Sequence, residues 1–201
     1  MVTTATPDTA TPDTATRILD VAEELVQTRG LNAMSYADVS ARVGITNASL
    51  HYHFPAKADL AVGLVDRYSG RFFAALDEIE RTRPDVADRL RAYVDIYGAV
   101  LARGRMCLCG MLASDFETLP AAVQKRVSEF FERSYTWLEH VIDRGVAEGR
   151  LPAPASSRAT AEALVAGLEG AMLVSRPAAG TERFAAIADA LLAAVGVPAR
   201  V

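Results

Sequence analysis

The chain has 201 residues, of which 51% are hydrophobic and 23% are charged, so it can bury a sizeable core. Its net charge of −4 argues against a protein that coats nucleic acid without regard to sequence, because such proteins are usually basic. Two cysteines are too few for a disulfide framework, and no leader segment or membrane-spanning apolar run is visible. We therefore expect a soluble cytoplasmic protein with no membrane partner.

The first 13 residues contain the repeat TATPDTATPD, which has two prolines and no core-forming side chain. This composition predicts a disordered tail over residues 1–13. From Thr14 onward, apolar residues recur every three or four positions, as in an amphipathic helix. Gly30 is a plausible left-handed cap, so the first helix is expected to end there.

Two short helices are predicted next. Ser35 can cap a helix over residues 36–43, and Thr46 can cap another that runs to about His53. Gly44 breaks the chain between them, and a proline follows the second helix closely. Two short helices joined by a tight turn that contains glycine are typical of a helix-turn-helix.

The rest of the chain also favours helices, with no convincing strand. A long helix is expected from about Ala56, because five large apolar residues repeat every four positions. That stripe consists of Leu60, Leu64, Tyr68, Phe72 and Leu76. Further helices are predicted to begin at Pro84 and to cover residues 108–116, 120–148, 156–176 and 181–195. The sequence thus predicts an all-α fold of about nine helices, a three-helix N-terminal unit followed by a helical bundle.

The stretch from Gly30 to Leu60 resembles the DNA-binding domain of the tetracycline-repressor (TetR) family of bacterial regulators. The residues that carry the resemblance are Gly30, Ser35, Asp38, Val39, Gly44, Ser49, Leu50, His53, Phe54 and Lys57. The sequence departs from the family pattern at His51, where relatives usually have tyrosine. The resemblance implies a DNA-binding domain over residues 14–56 and an effector-binding and dimerisation domain over residues 57–201.

The third helix carries hydrogen-bonding side chains that suit base edges and phosphates in a major groove. Together with the starts of the second and fourth helices, it supplies the predicted DNA contacts, which are Ser35, Tyr36, Thr46, Asn47, Ser49, His51, Tyr52, His53 and Lys57. The resemblance implies a repressor that binds a palindromic double-stranded operator as a homodimer.

A pocket for a small-molecule effector is expected among the fourth to eighth helices, where aromatic and adaptable side chains are frequent. The candidates are Tyr93, Tyr97, Cys107, Met111, Phe116, Trp137 and His140. The same side chains also suit a plain hydrophobic core, so the sequence leaves both interpretations open.

The last two helices are predicted to form the dimer interface. One carries small residues that allow close approach, and the other carries large apolar ones. The candidates are Leu164, Gly167, Leu168, Ala171, Phe184, Ile187 and Leu191. The alternative is that both are ordinary core helices of a monomer.

Cys107 and Cys109 lack the further ligands of a zinc site and the spacing of a redox pair. They are either small buried hydrophobic residues or a thiol sensor. Cys107 follows Arg103 and Arg105 near an expected helix start, which predicts a lowered thiol pKa and a reactive side chain.

An enzyme is the main alternative class, and the sequence supports it little. It contains no glycine-rich phosphate loop, GxSxG elbow or HExxH pair, and we expect no catalytic residue, metal or cofactor. A helical interaction module without DNA binding is a second alternative. The favoured hypothesis is a transcriptional regulator that a small-molecule or thiol-reactive effector releases from its operator.

Overall fold

A computed structural model describes residues 13–178 and 180–198. Within those ranges the chain forms nine α-helices and two short 3-10 helices, without a strand. The α-helices are α1 (Thr14–Arg29), α2 (Tyr36–Val43), α3 (Asn47–His53), α4 (Lys57–Thr82), α5 (Val86–Leu101), α6 (Leu108–Ser114), α7 (Ala121–Ala147), α8 (Ser157–Ser175) and α9 (Thr181–Ala194). The predicted all-α fold of about nine helices is confirmed. Of the predicted disordered tail, only residue 13 lies within the described residues. None of the described helices has the length and apolarity needed to cross a membrane.

Side-chain caps define where the first three helices begin. Asp13 caps α1, and Ser35 forms a reciprocal capping box with Asp38 at the start of α2. Thr46 caps α3 by accepting a hydrogen bond from the backbone N–H of Ser49 at 3.1 Å. Each cap satisfies backbone donors that a helix leaves unpaired at its N-terminus. The starts of α2 and α3, which were predicted from Ser35 and Thr46, are therefore confirmed.

The turn between α2 and α3 depends on Gly44. Its backbone adopts φ 77° and ψ 40°, a left-handed conformation that glycine adopts without steric cost. On either side of the turn, Val39 and Leu50 are fully buried, and both belong to one core with Ile18 of α1. This packing fixes α3 relative to α1 and α2.

The long helix α4 joins the N-terminal unit to the rest of the protein. Its 26 residues span about 39 Å at the usual helical rise. It packs against α1 near its start and against α5, α6 and α7 further along. The predicted apolar stripe along it is buried throughout, at Leu60, Leu64, Tyr68, Phe72 and Leu76.

The remaining helices form a bundle in which α7 and α8 are central. Helix α7 packs against α4, α5, α6 and α8, while α8 also packs against α5 and α9. Phe130 on α7 lies at the aromatic centre, with its ring centroid 4.9 Å from that of Phe72 and 5.8 Å from that of Tyr68. The short helix α6 packs between α1 and α7, so it contacts both halves of the protein.

Candidate nucleic-acid interface

Helix α3 presents polar side chains on the side opposite its buried Leu50. Thr46 and Asn47 are exposed at its N-terminal end, and Tyr52 is 84% exposed. Ser49 is half-buried between them. The polar side chains beside Tyr52 can donate hydrogen bonds to, and accept them from, base edges and phosphates. This surface is the candidate recognition face.

Two of the predicted DNA contacts, Tyr36 and His51, have partners within the chain. The Tyr36 hydroxyl donates to the backbone carbonyl of Phe54 at 2.8 Å, and the ring centroids of Tyr36 and His51 lie 4.7 Å apart. His51 Nδ1 lies 3.1 Å from the carbonyl oxygen of Pro55. Burial, with a smaller contribution from Asp59, raises the pKa of Tyr36 to about 12. These two side chains therefore hold the end of α3 against the start of α2.

The other predicted contacts lie at the edges of the same face. Ser35 is exposed at the start of α2, and its hydroxyl lies 2.6 Å from the Asp38 carboxylate. His53 is half-buried at the end of α3, where its ring meets that of Tyr52 edge-on. Lys57 is half-buried at the start of α4, where burial lowers its pKa while the charge of Asp115 raises it.

A backbone hydrogen bond joins the N-terminal unit to the segment before α6. Met106 donates its N–H to the carbonyl of Gln27 on α1 at 3.1 Å. Beside it, Glu24 on α1 forms ion pairs with Arg105 and with Arg42 of α2, each at 2.6 Å. A displacement of the segment before α6 would therefore strain its contacts with the DNA-binding helices.

A second set of ion pairs joins α1 to α4. Arg67 pairs with Asp20 at 2.8 Å and with Glu23 at 2.9 Å, and Arg71 pairs with Glu23 at 2.5 Å. These groups surround an open cleft of about 570 Å³ between α1, α4 and α5, whose apolar lining includes Phe72. Each of the four side chains in these three pairs therefore meets an opposite charge.

The structure brings together four of the residues predicted to line an effector pocket. The hydroxyls of Tyr93 and Tyr97 lie 3.2 Å apart, and the Trp137 ring stacks on Tyr93 at a centroid distance of 5.6 Å. Cys107 is buried beside them, and its sulfur lies 3.6 Å from the hydroxyl of Tyr68. Cys107 and Tyr97 also lie together in the apolar packing around Tyr68 and Met172.

The other three predicted pocket residues lie elsewhere. Met111 on α6 and Phe116 in the following 3-10 helix are half-buried against the core. His140 is exposed on α7, outside the aromatic cluster. His140 falls on the polar side of α7 because its neighbours Val141 and Ile142 occupy the buried side.

The pKa values of the two cysteines differ from the sequence-based hypothesis. Burial, followed by the charge of Glu169, raises the pKa of both Cys107 and Cys109 well above the usual range. The predicted lowering of the Cys107 pKa is therefore wrong in direction. Arg105, which was expected to favour the thiolate, pairs instead with Glu24.

Glu169 on α8 is the polar residue of this region that the sequence analysis did not single out. Its carboxylate lies among Cys107, Cys109 and the buried tyrosines, and its Oε1 atom is buried. A signal was present, because Glu169 is the one charged residue between Glu162 and Arg176. A single charge within such an apolar helical stretch indicates a buried or functional group.

Most of the residues predicted for a dimer interface lie inside the chain's own core. Leu164, Leu168, Ala171 and Phe184 are buried within the bundle. Ile187, Leu191 and Gly167 are half-buried where α8 and α9 meet, and a Cβ atom at Gly167 would lie 2.7 Å from Leu191 Cδ2. Gly167 therefore serves close packing of α9 on α8 within one chain.

An apolar face of α8 is nevertheless exposed. Leu173 and Val174 are 61% and 51% exposed, and three small residues continue the same face toward the start of the helix. These three are Ala163, Ala166 and Gly170. The residues predicted for the interface are mostly inward ones, whereas this exposed face lies on the other side of α8. We call these five residues the α8 face.

A helix-turn-helix with an exposed polar third helix, joined to a helical bundle by one long helix, defines a transcriptional regulator that binds DNA. Residues 18–64 match the family described as bacterial regulatory proteins, tetR family, and residues 86–192 match the tetracyclin repressor-like C-terminal domain. The chain therefore belongs to the TetR family of DNA-binding transcriptional regulators.

Solved structures and curated proteins agree with this assignment. A TetR-family transcriptional regulator from Agrobacterium tumefaciens is 38% identical, with 90% of this chain and 96% of that one covered and a TM-score of 0.86. A TetR transcriptional regulator from Legionella pneumophila is 29% identical, with coverage of 92% and 99% and a TM-score of 0.85. The nucleoid occlusion factor SlmA of Photobacterium profundum is 26% identical over 76% of this chain and 78% of its own.

Proposed function

We propose that this regulator is a repressor that binds a palindromic operator as a homodimer and leaves it when an effector binds. Residues 14–56 form the DNA-binding domain, and residues 57–201 bind the effector and pair the subunits. The observation that carries the proposal is the exposed polar surface of α3, with Asn47 at its first turn and Tyr52 almost fully exposed. The protein is a binding protein rather than an enzyme.

The predicted DNA contacts divide into two kinds. Ser35, Thr46 and Lys57 lie at the starts of helices α2, α3 and α4, where backbone N–H groups and positive charge favour phosphates. Asn47 and Ser49 lie on the first turn of α3, which reaches base edges in this class of motif. Tyr52 and His53 belong to the first kind, because they contact the sugar-phosphate backbone that borders the groove.

Tyr36 and His51 have a supporting role in this proposal. Their hydrogen bonds to the carbonyl groups of Phe54 and Pro55 fix the angle at which α3 meets DNA. His51 replaces the tyrosine that is usual in the family, and it retains a free ring nitrogen for a phosphate.

Homodimer formation is supported by the α8 face. Small residues followed by Leu173 and Val174 allow two copies of α8 to approach closely across a two-fold axis. Half-buried Ile187 and Leu191 on α9 border this surface. Two DNA-binding domains on one dimer would read the two halves of a palindrome.

Release of DNA is supported by the position of α6. The segment before it contacts α1 through Met106 and Gln27, and through Arg105 and Glu24. A ligand in the aromatic core would move α6 and change these contacts. The raised pKa of the thiols favours a ligand that binds without covalent attachment over a thiol-reactive one.

A mobility-shift assay on the intergenic DNA upstream of the gene tests the proposal. We expect a specific complex, from which unrelated competitor DNA of equal length does not displace the protein.

Treatment with a thiol alkylator, with labelling confirmed by mass, distinguishes a thiol-reactive effector from one that binds without covalent attachment. Loss of binding in the alkylated wild type but not in Cys107→Ser would restore the thiol-reactive hypothesis. Absence of any specific complex would overturn the proposal.

The SlmA proteins are distant relatives over most of this chain. The shared segment covers 76% of this chain at 26% identity. Nucleoid occlusion is the role by which those relatives are named, and our proposal for this chain is control of transcription at an operator.

A further inference from the structure

The open cleft between α1, α4 and α5 has an apolar floor. Its volume of about 570 Å³ lies within the usual range of small-molecule sites in proteins. The floor consists of Tyr68 and Phe72 on α4 and of the half-buried Ile96 and Val100 on α5. Phe72 also packs on Phe130 at the aromatic centre of the bundle. The cleft therefore offers a molecule with an apolar body a surface that leads toward the core.

The rim of this cleft carries more positive than negative charge. Four arginines and three carboxylates line it, namely Arg67, Arg71, Arg103, Arg105, Asp20, Glu23 and Glu24. The carboxylates already have partners, because Asp20 and Glu23 pair with arginines of α4 and Glu24 pairs with Arg105. Glu24 pairs with Arg42 of α2 as well. The acidic groups are thus matched, and positive charge remains at the rim.

Arg103 and Arg71 carry the donors that remain. Arg103 is exposed just after α5, and within residues 13–178 and 180–198 its side chain forms no ion pair. Arg71 is half-exposed and binds Glu23 through Nη2 alone, so its Nε and Nη1 atoms make no hydrogen bond to the described part of the chain. Two guanidinium groups, one from α4 and one from the end of α5, therefore offer N–H donors beside an apolar floor.

We propose that this cleft binds a carboxylate with a medium-length alkyl chain, whose head group pairs with Arg71 and Arg103 and whose chain lies along the apolar floor. The inference rests on the proposed function, because this ligand would be the effector. Guanidinium groups form strong, often bidentate hydrogen bonds with carboxylates. An alcohol of the same length lacks the charge, and an alkylammonium ion meets carboxylates that are already paired. The chain adds affinity by leaving water.

The cleft is connected to the DNA-binding unit through the same ion pairs. A carboxylate on Arg71 competes with Glu23, which holds α1 against α4. Arg105 lines the same cleft and pairs with Glu24, the residue that also holds Arg42 of α2. A bound carboxylate therefore weakens the attachment of α1 and α2 to the rest of the protein, and operator affinity should fall.

Isothermal titration of the full-length protein at neutral pH with the sodium salts of acetate, butanoate, hexanoate and octanoate tests the proposal. We expect affinity to rise along the series, with octanoate at least about tenfold tighter than acetate, because each added CH₂ group leaves water. 1-Octanol and octylammonium have the same chain and should bind at least about tenfold more weakly than octanoate. Equal binding of octanoate and either of these two would overturn the proposal. So would failure of octanoate to bind.

Arg103→Gln makes the test specific to the cleft. It removes a charge from an exposed side chain without an ion pair, so the fold should be kept while octanoate binds about tenfold more weakly. Arg83→Gln is the matched control, because it removes an exposed arginine after the end of α4, outside the cleft. Wild-type octanoate affinity in Arg103→Gln would overturn the proposal. An equal loss in Arg83→Gln would do so too, since it would trace the binding to net charge.

Mobility shift separates this inference from the proposed function. Operator binding without octanoate reports on the proposed function, and calorimetry without DNA reports on the cleft. Octanoate should release the operator from the wild type at a concentration about tenfold lower than from Arg103→Gln. Tight octanoate binding that leaves operator affinity unchanged would overturn its role as the effector.

Discussion

Arg105, in the segment before α6, and Glu24, on α1, form an ion pair at 2.6 Å that joins the helical bundle to the N-terminal three-helix unit. Glu24 holds Arg42 of α2 at the same distance. One carboxylate therefore contacts the helix-turn-helix and the segment before α6 at once. Both side chains of the Arg105–Glu24 pair are about 30% exposed, so solvent screens their attraction only in part.

A double-mutant cycle with Arg105→Gln and Glu24→Gln should give a coupling of about 0.2–1 kcal/mol in the free energy of unfolding. The coupling should shrink as salt is added, because the pair is partly exposed. The Arg81–Glu78 pair on α4 is a suitable control, since its side chains are 71% and 56% exposed. Urea denaturation measures both cycles. A coupling no larger than that of the control pair would mean that the Arg105–Glu24 contact has no energetic role.

Replacing Lys57 with alanine should weaken operator binding to a similar degree for all operator variants. The expected cause is the loss of one phosphate contact, which also reduces the slope of log affinity against log salt by about one. Lys125→Ala on α7 is the matched control, because it removes an exposed lysine far along the chain from the candidate interface. Fluorescence anisotropy at several salt concentrations provides the slopes. An unchanged slope for Lys57→Ala would remove this residue from the interface.

Asn47→Ala should alter sequence preference more than overall affinity. The amide of Asn47 is exposed on the first turn of α3, and a bidentate contact of an amide with adenine is worth about 1–3 kcal/mol of discrimination. Competition between the operator and single-base variants should therefore show relaxed preference at one position in each half-site. Thr46→Ser, which keeps the capping hydroxyl, should preserve the wild-type preference. A uniform loss across all variants would instead place Asn47 against the backbone.

Ala166→Glu should convert the protein to a monomer at micromolar concentration. Ala166 lies on the α8 face, where a dimer would bury the new charge against the same charge of the other copy. Ala147→Glu introduces the same change at an exposed alanine at the end of α7 and should leave the dimer intact. Sedimentation velocity distinguishes the two states. A wild-type protein that is itself monomeric would contradict the proposed homodimer.

The sequence predicted the helices well because local signals define them. Ser35, Thr46 and Gly44 are residues whose side chains or backbone freedom act within one turn, and the structure uses each as expected. The stripe along α4 was equally predictable, since a four-residue spacing of large apolar side chains has one helical interpretation.

The candidate sites were harder to predict because they depend on which helix covers which face. His140 and Leu164 suit their predicted sites in chemistry, but one is exposed and the other is buried inside the chain. The pKa of Cys107 is raised first by burial and then by the charge of Glu169, a residue that the fold brings to it across 62 positions of sequence. Such pairings follow from tertiary packing, which one sequence without related sequences does not reveal.

The buried carboxylate of Glu169 should make the protein less stable as pH rises from about 5 to 8. Its pKa is about 7 in the folded chain and near 4.5 when exposed, so the folded state holds a proton that the unfolded state has already released. This stabilisation is complete below pH 4.5 and is lost as pH rises through 7, for a total of about 3 kcal/mol in the free energy of unfolding.

In Glu169→Gln the group cannot ionise, so its part of the pH dependence should vanish. The loss of stability between pH 5 and pH 8 should therefore be smaller in this variant than in the wild type. Urea denaturation of wild type, Glu169→Gln and the control Glu162→Gln at four pH values isolates the effect, because the control removes an exposed carboxylate from the same helix. Parallel curves for the wild type and Glu169→Gln would show that the carboxylate is solvated in the folded state.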